Sequence, residues 1–358
     1  MNKQGLWLGL FTHLDRICRP NEDKLLKLRG LGYDTLGKEY LLEVDEMELV
    51  RKVLHAGADE VGGNAGNAAF FLGHLGLECD LAAPSRFPAL TTLFEGLPVY
   101  VWGIRRKLLA TSAKPRDPEI VHWIVEVKPP LVEEAGRMIF THDPMTREGW
   151  LDGGFFNNLR GGVLFLSGLH LVQRTDRLKE VADMVEDRRD KHDLKVYLEA
   201  CEVSSGSQMK LAFELFTRRQ LVDAVGMNER EAVLLGTRSQ FPGPIVDVIR
   251  DFHDRRGMDV TVHSAKWACS TRPEGLRNVI DLVEAWAMND LSLYKTMDSR
   301  PVWPDAGPAI PTRKLPELLR LTGLGDAFAI TDAMRLLAPE RFREALEKVV
   351  ALPTKQVY

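Results

Sequence analysis

The chain has 358 residues, 45% of them hydrophobic, and a formal net charge of -4 from 47 Lys and Arg against 51 Asp and Glu. That supplies one large core with a smaller appendage, and the near balance of charge leaves no field that would draw nucleic acid. No apolar run reaches the length of a membrane span, no signal peptide is legible, and Cys18, Cys79, Cys201 and Cys269 are scattered, which predicts a cytoplasmic protein with reduced thiols, no membrane contact and no zinc site.

In chain order, Trp7 to Phe11 is a short apolar run of the kind expected for a buried parallel strand. It leads to Asp15, whose carboxylate either enters a ligand site or caps the turn at Arg16. Gly62-Gly63-Asn64-Ala65-Gly66-Asn67 follows, opening an apolar segment from Ala68 to Leu75. Small residues there let a helix N-terminus approach a ligand, and the Asn amides both donate to and accept from sugar hydroxyls. The same run also fits a tight turn in which Asn tolerates left-handed geometry. Its glycine spacing is not that of a dinucleotide fingerprint.

Strand-like segments appear at Pro98 to Gly103 and His122 to Val127, the latter closed by Pro129 and Pro130. Between them Arg105, Arg106 and Lys107 form a basic run, either a solvated face or a seat for a phosphate on the substrate. Asn157, Asn158 and Arg160 make a polar cluster before Gly161-Gly162, with the same two readings. From there strands at Val163 to Leu166, Val196 to Cys201 and Val260 to His263 alternate with helical stretches. The helices are expected at Arg177 to Arg189, Met209 to Val222, Ile245 to Arg255 and Gly275 to Met288. Such alternation argues for an α/β fold with a doubly wound, mostly parallel sheet flanked by helices, binding ligands beyond the carboxyl ends of its strands. A Pro-rich stretch, Pro301 to Pro316, reads as an ordered loop.

The densest signal comes near the end, at Gly323-Leu324-Gly325-Asp326, followed by Ala327, Phe328, Ile330, Ala333, Met334 and Leu337 on one helical face. Two glycines leave backbone N–H groups uncovered at a helix N-terminus, where the dipole favours an anion. Asp326 would stand beside that anion as a base for an attacking hydroxyl, which is the arrangement phosphoryl transfer needs. A Gly-rich turn with an Asp in the first helical turn is the plainer alternative.

Together these elements resemble the ribokinase-like superfamily of sugar kinases and, more closely, its ADP-dependent branch of the glucokinase and phosphofructokinase type. Five segments carry the resemblance in order: Gly9 to Asp15, Gly62 to Asn67, Val196 to Ala200, Gly226 to Glu231 and Thr322 to Asp326. The third is similar to an H-x-E segment, with Tyr197 standing where His is usual; the fourth has the N-x-x-E form at Asn228 and Glu231.

The resemblance implies a magnesium-dependent transfer from ADP to a hydroxyl of a sugar or sugar phosphate, the alternative being an ATP-dependent ribokinase-like kinase of a sugar or nucleoside. It places Asp326 as base, the amides of Gly323, Leu324 and Gly325 as anion hole, and Asp15, Gly62, Gly63, Asn64 and Asn67 on the sugar. Asn228 and His263 fall on the nucleotide side, and Glu199 and Glu231 on the metal. It further implies a β-rich lid built from 16–59 and 96–127. The large domain would be 1–15 and 128–358, with 60–95 contributing the sugar-side glycine motif and its helix. A non-catalytic sugar-binding protein of the same fold would have lost the base or the glycines, and this chain keeps Asp326, Gly323 and Gly325.

Overall fold

The computed structural model describes residues 4–133, 136–201, 207–235, 245–302, 309–315 and 323–352. Its strands in chain order are β1 (Gly5–Gly9), β2 (His13–Cys18), β3 (Glu39–Leu41), β4 (Ala58–Gly62), β5 (Cys79–Leu81), β6 (Val99–Trp102), β7 (Arg106–Leu108) and β8 (Val121–Val127). They continue as β9 (Gly136–Thr141), β10 (Gly162–Leu166), β11 (Leu194–Glu199), β12 (Ala224–Asn228), β13 (Asp259–His263), β14 (Trp267–Ser270) and β15 (Ile310–Pro311).

They form two sheets. The larger runs β15-β14-β13-β12-β11-β10-β1-β5-β6-β7. All neighbours from β13 to β6 are parallel, and antiparallel strands close both edges. The parallel strands read as continuous apolar runs because both faces are covered: Val163 to Leu166 and Val225 are fully buried. The expected helices form at Thr175–Lys191, Ser207–Arg218, Ile245–Arg256 and Leu276–Ala287.

Helix Leu324–Leu337 sits at the centre of the helical layer. It packs on β10, β11 and β12 and touches helices Asn64–His74, Leu276–Ala287 and Pro339–Ala351. It is buried nearly all round rather than along one stripe, so its small residues, Ala327, Ala329 and Ala333, are what let four neighbours approach. Two charges share that burial. Arg335 Nε donates to Asp332 Oδ1 at 2.9 Å, and the Tyr197 hydroxyl donates to Asp332 Oδ2 at 3.0 Å. Removing one member of such a buried set typically costs about 3–5 kcal/mol.

The smaller sheet runs β3-β9-β8-β2-β4. Its membership differs from the lid boundaries expected from sequence. The chain leaves the large sheet at Gly9 and enters the small one at His13, so Asp15 stands inside β2, paired across to Glu60 and His122. Of the segment 96–127 only β8 belongs here, because β6 pairs with β5 and β7 with β6 at the edge of the large sheet. β9, beyond the expected boundary, pairs with β8 and β3. Pattern alone cannot tell the two sheets apart, since His122 to Val127 and Val99 to Trp102 are both short and apolar; pairing partners decide. The loop read at Pro301 to Pro316 is described only in part, with 303–308 and 316 outside the described residues.

Candidate active site

Three adjacent parallel strands end on polar residues at their carboxyl edge: β11 on Glu199, β12 on Asn228 and β13 on His263. Register sets Asn228 opposite His263 and Glu199 opposite Gly226. Gly226 is required there, because a Cβ would collide with Glu199 Oε2 and the Tyr197 hydroxyl. Helix Leu324–Leu337 points its N-terminus at the same edge. Gly323 takes φ 77 as the N-cap, a left-handed conformation that L side chains resist. The first-turn amides beyond it have no intrahelical acceptor. Thr322 lies outside the described residues.

Asp326, in that first turn, is held from the other side of the site. Asn64 Nδ2 donates to Asp326 Oδ1 at 2.6 Å and Asn67 Nδ2 to Oδ2 at 3.0 Å. Both Asn residues open helix Asn64–His74, whose N-cap Gly63 has φ 77. A side chain on Gly63 would also press on the Phe11 carbonyl. Burial pushes the Asp326 carboxyl up to about 6, and the two Asn amides oppose that rise. A carboxyl poised just below neutrality is suited to accept a proton in the operating range.

A cavity of about 390 Å³ opens over Asp326. Asp15, Gly63, Asn64, Asn67, Glu199, Asn228, Glu231, His263, Gly323, Leu324 and Gly325 all line it, so these sequence-predicted residues meet in one place; Gly62, the last residue of β4, does not line it. A Cβ at Gly62 would strike the Asp15 carboxylate.

The small sheet contributes residues that sequence reasoning did not assign: His13, Glu39, His122 and Arg137. The His13 and His122 rings stack at 3.6 Å between centroids. His122 Nε2 lies 3.2 Å from Asp143 Oδ2, and His13 Nε2 lies 3.2 Å from Asp15 Oδ1. Burial disfavours charge on His122, but Asp143, Glu39 and Asp15 outweigh it and raise its pKa, whereas burial and the neighbouring His122 lower that of His13. The signal available in sequence was the presence of His13 within the Gly9 to Asp15 segment; nothing local links it to His122.

A second cavity, of about 500 Å³, adjoins the first and shares Asn228, His263, Leu324 and Gly325 with it. Ala265, Ala268, Ile280, Val283, Ala287 and Phe328 make it apolar, and Ser264, Lys266 and Thr312 add polar groups. The His263 ring lies tilted against Phe328 at 4.6 Å between centroids, and burial lowers its pKa, which leaves a neutral ring.

On the metal candidates the two carboxylates differ. Glu199 is buried, with Oε1 3.6 Å from His263 Nε2 and Oε2 without a hydrogen-bond partner. Burial, then Asp326 and Asp332, raise its pKa well above the usual range. Glu231 Oε2 instead accepts from the Asn228 amide at 2.7 Å, while the Glu231 amide donates to Asn228 Oδ1 at 2.9 Å. That reciprocal pair caps the helix Glu229–Leu235.

Neither suggested phosphate seat reaches the cavity. Arg106 pairs with Asp80 at 2.7 Å and covers the Tyr100 ring on the edge of the large sheet. Asn158 donates to the Gly154 carbonyl at 2.8 Å, and Asn157, Asn158 and Arg160 do not line the cavity.

Residues 40–267 match the family model for the ADP-specific phosphofructokinase/glucokinase conserved region. No curated protein matches the sequence. Among solved structures, an ADP-dependent kinase in complex with fructose-6-phosphate and ADPβS is similar at 15% identity and a TM-score of 0.73, covering 99% of this chain and 96% of that one. A hypothetical ADP-dependent phosphofructokinase from Pyrococcus horikoshii OT3 gives 16% identity and 0.68, covering 95% and 99%. The adenosine kinase from Sinorhizobium meliloti gives 16% and 0.59, covering 96% and 90%. At such identities these likenesses speak to the fold, a large mostly parallel sheet with a smaller β-rich part. No helix among the described residues is long and apolar enough to cross a membrane.

Proposed function

The chain belongs to the ADP-specific phosphofructokinase/glucokinase family and moves a phosphoryl group from ADP to a sugar, and from that premise we propose that Asp326 is the base and the Gly323 to Asp326 turn the anion hole. The observation that carries this reading is the Asp326 carboxylate itself. It sits in the first turn of a buried helix, fixed by Asn64 and Asn67, where a polar cavity and an apolar cavity meet.

The apolar cavity fits a nucleobase, with the neutral His263 ring and Phe328 offering a stacking surface. Its phosphates would then run past Asn228 toward Gly325. The polar cavity fits the acceptor, with Asp15 and the two Asn side chains available to hydroxyls. Arg137 and Arg230 also line it and suit an acceptor that already carries a phosphate. The solved kinase of this fold is complexed with fructose-6-phosphate and an ADP analogue together, in keeping with a site that holds an acceptor and a nucleotide.

In the transfer, Asp326 takes the proton of the attacking hydroxyl while the amides of Leu324, Gly325 and Asp326 stabilise charge on the moving group. Asn64 and Asn67 keep the carboxylate aimed, and the walls of the small sheet exclude water from the reacting atoms. Magnesium fits Glu199, whose buried Oε2 has no other partner, with Glu231 a lesser candidate because its Oε2 already accepts from the Asn228 amide. When bound, magnesium would neutralise charge on the nucleotide phosphates. The reading includes a cytoplasmic location, in keeping with four free cysteines.

The test is Asp326→Asn, assayed for AMP release and for ADP binding separately. Turnover should fall by about 10²–10⁴ with binding and melting temperature kept. Near-normal turnover would remove Asp326 from the role of base.

A further inference from the structure

We propose that His13, His122 and Asp143 form a second cation site, distinct from the Glu199 position, that takes a borderline transition metal such as Zn²⁺ or Co²⁺ and blocks acceptor binding when filled. The three residues come from the same end of the small sheet: the start of β2, the start of β8 and, two residues beyond the end of β9 at Thr141, Asp143. Each offers a ligand atom, all within 4.8 Å of one another, and all three side chains are buried. Two imidazoles and a carboxylate are a donor set that selects such metals rather than magnesium, leaving further positions open to solvent or ligand.

The detail of the cluster supports a site rather than a chance meeting. Asp143 Oδ1 is fixed by the amides of Met145 and Thr146 at 2.8 and 3.2 Å, so Oδ2 is held out toward His122 Nε2 at 3.2 Å. That separation matches the edge between two ligands bound at about 2.0–2.1 Å in a tetrahedral shell. Within the cluster His13 Nδ1 is buried without a hydrogen-bond partner, while His13 Nε2 lies 3.2 Å from Asp15 Oδ1. Orphaned polar atoms in such a position are costly unless something else satisfies them.

The site differs from the Glu199 position in what it blocks. His13 and His122 line the acceptor side of the cavity, next to Asp15. An ion there would draw His13 and His122 out of the cavity wall and set a positive charge beside Asp15, where a sugar would bind, and it would also tie together three strand ends at the root of the small sheet. The effect on turnover rests on the acceptor assignment made above; the metal site itself does not.

The experiment uses the full chain freed of metal with a chelator and titrated with Co²⁺ at about pH 8, where imidazoles are neutral. Visible d–d absorption reports the geometry without any turnover. The expected result is one strongly absorbing Co²⁺ per chain, displaced by Zn²⁺ and not by excess Mg²⁺. His122→Gln and His13→Gln should each weaken it by on the order of a hundredfold while circular dichroism and melting stay near those of the parent. Glu199→Gln should leave the band in place. Zn²⁺ should inhibit AMP formation competitively with the acceptor, and fructose-6-phosphate or glucose, whichever is turned over, should weaken Co²⁺ binding. Co²⁺ affinity equal to the parent's in either His variant would overturn the site. A band that responds to those variants, with Zn²⁺ inhibition indifferent to acceptor concentration, would overturn the block. A protein that binds Co²⁺ in this way but forms no AMP from ADP when freed of it and supplied with Mg²⁺ would instead count against the function proposed above.

Discussion

At the scale of single residues the proposed mechanism rests most on Asp326, and its environment makes a pH prediction. Burial raises its carboxyl to about 6, against the pull of the Asn64 and Asn67 amides. Only the ionised form accepts a proton, so kcat/KM should rise with pH through about 6 and level off above, falling about tenfold per unit on the acid side. Asn64→Ala removes an amide that favours the ionised form, so the acid limb should move to higher pH; a pH–rate profile with an unmoved or lowered limb would contradict this. Asp326 itself was legible because two glycines and an acid before an apolar helix are a local pattern. Its support was not: the Asn64 contact spans 262 positions, and only the fold brings the two Gly-rich turns together. His122 and Asp143 were illegible for the same reason, since each reads locally as a strand residue and a helix cap.

Helix Leu324–Leu337 shows how one element separates stability from turnover. Gly323 has φ 77, and a Cβ there would sit 3.1 Å from Asn67 Cγ. Gly323→Ala should therefore cost roughly 1–2 kcal/mol from the backbone alone, lower the melting temperature and disturb Asn67. Gly325 is different: its Cβ would meet only His263 Cε1, at 3.8 Å. Gly325→Ala should keep or raise the melting temperature, since Ala favours a helix by roughly 0.5–1 kcal/mol over Gly. Its methyl lies over the anion-binding amides, and turnover should drop by roughly a hundredfold. Paired thermal melts and rate assays check both; a stability loss in Gly325→Ala would mean that the turn is packed rather than open. The strand–helix alternation behind this element was legible from apolar runs. The split of the chain between two sheets at residues 10–12 was not, because Leu10, Phe11 and Leu14 are buried on either side of the crossing.

Over the whole molecule, the cavity proposed for the acceptor is walled by two sheets: Asp15, His13 and His122 from the small one and Asp326 with Asn64 from the large-sheet side. A site divided in this way closes when its ligand touches both walls, and closure excludes the water that would hydrolyse the donor. X-ray scattering should show compaction with acceptor and nucleotide analogue together and less with either alone; an unchanged radius of gyration would argue for a rigid cleft. The family and the fold class were legible from five ordered segments, whereas the lid's membership depended on strand pairing that no local pattern records. The most direct test of the account is to supply ADP or ATP to the purified protein with magnesium and a panel of sugars and sugar phosphates, identifying the nucleotide product. The account predicts AMP from ADP, formed in step with one phosphorylated acceptor. ADP formed from ATP, with ADP itself inert, would contradict it.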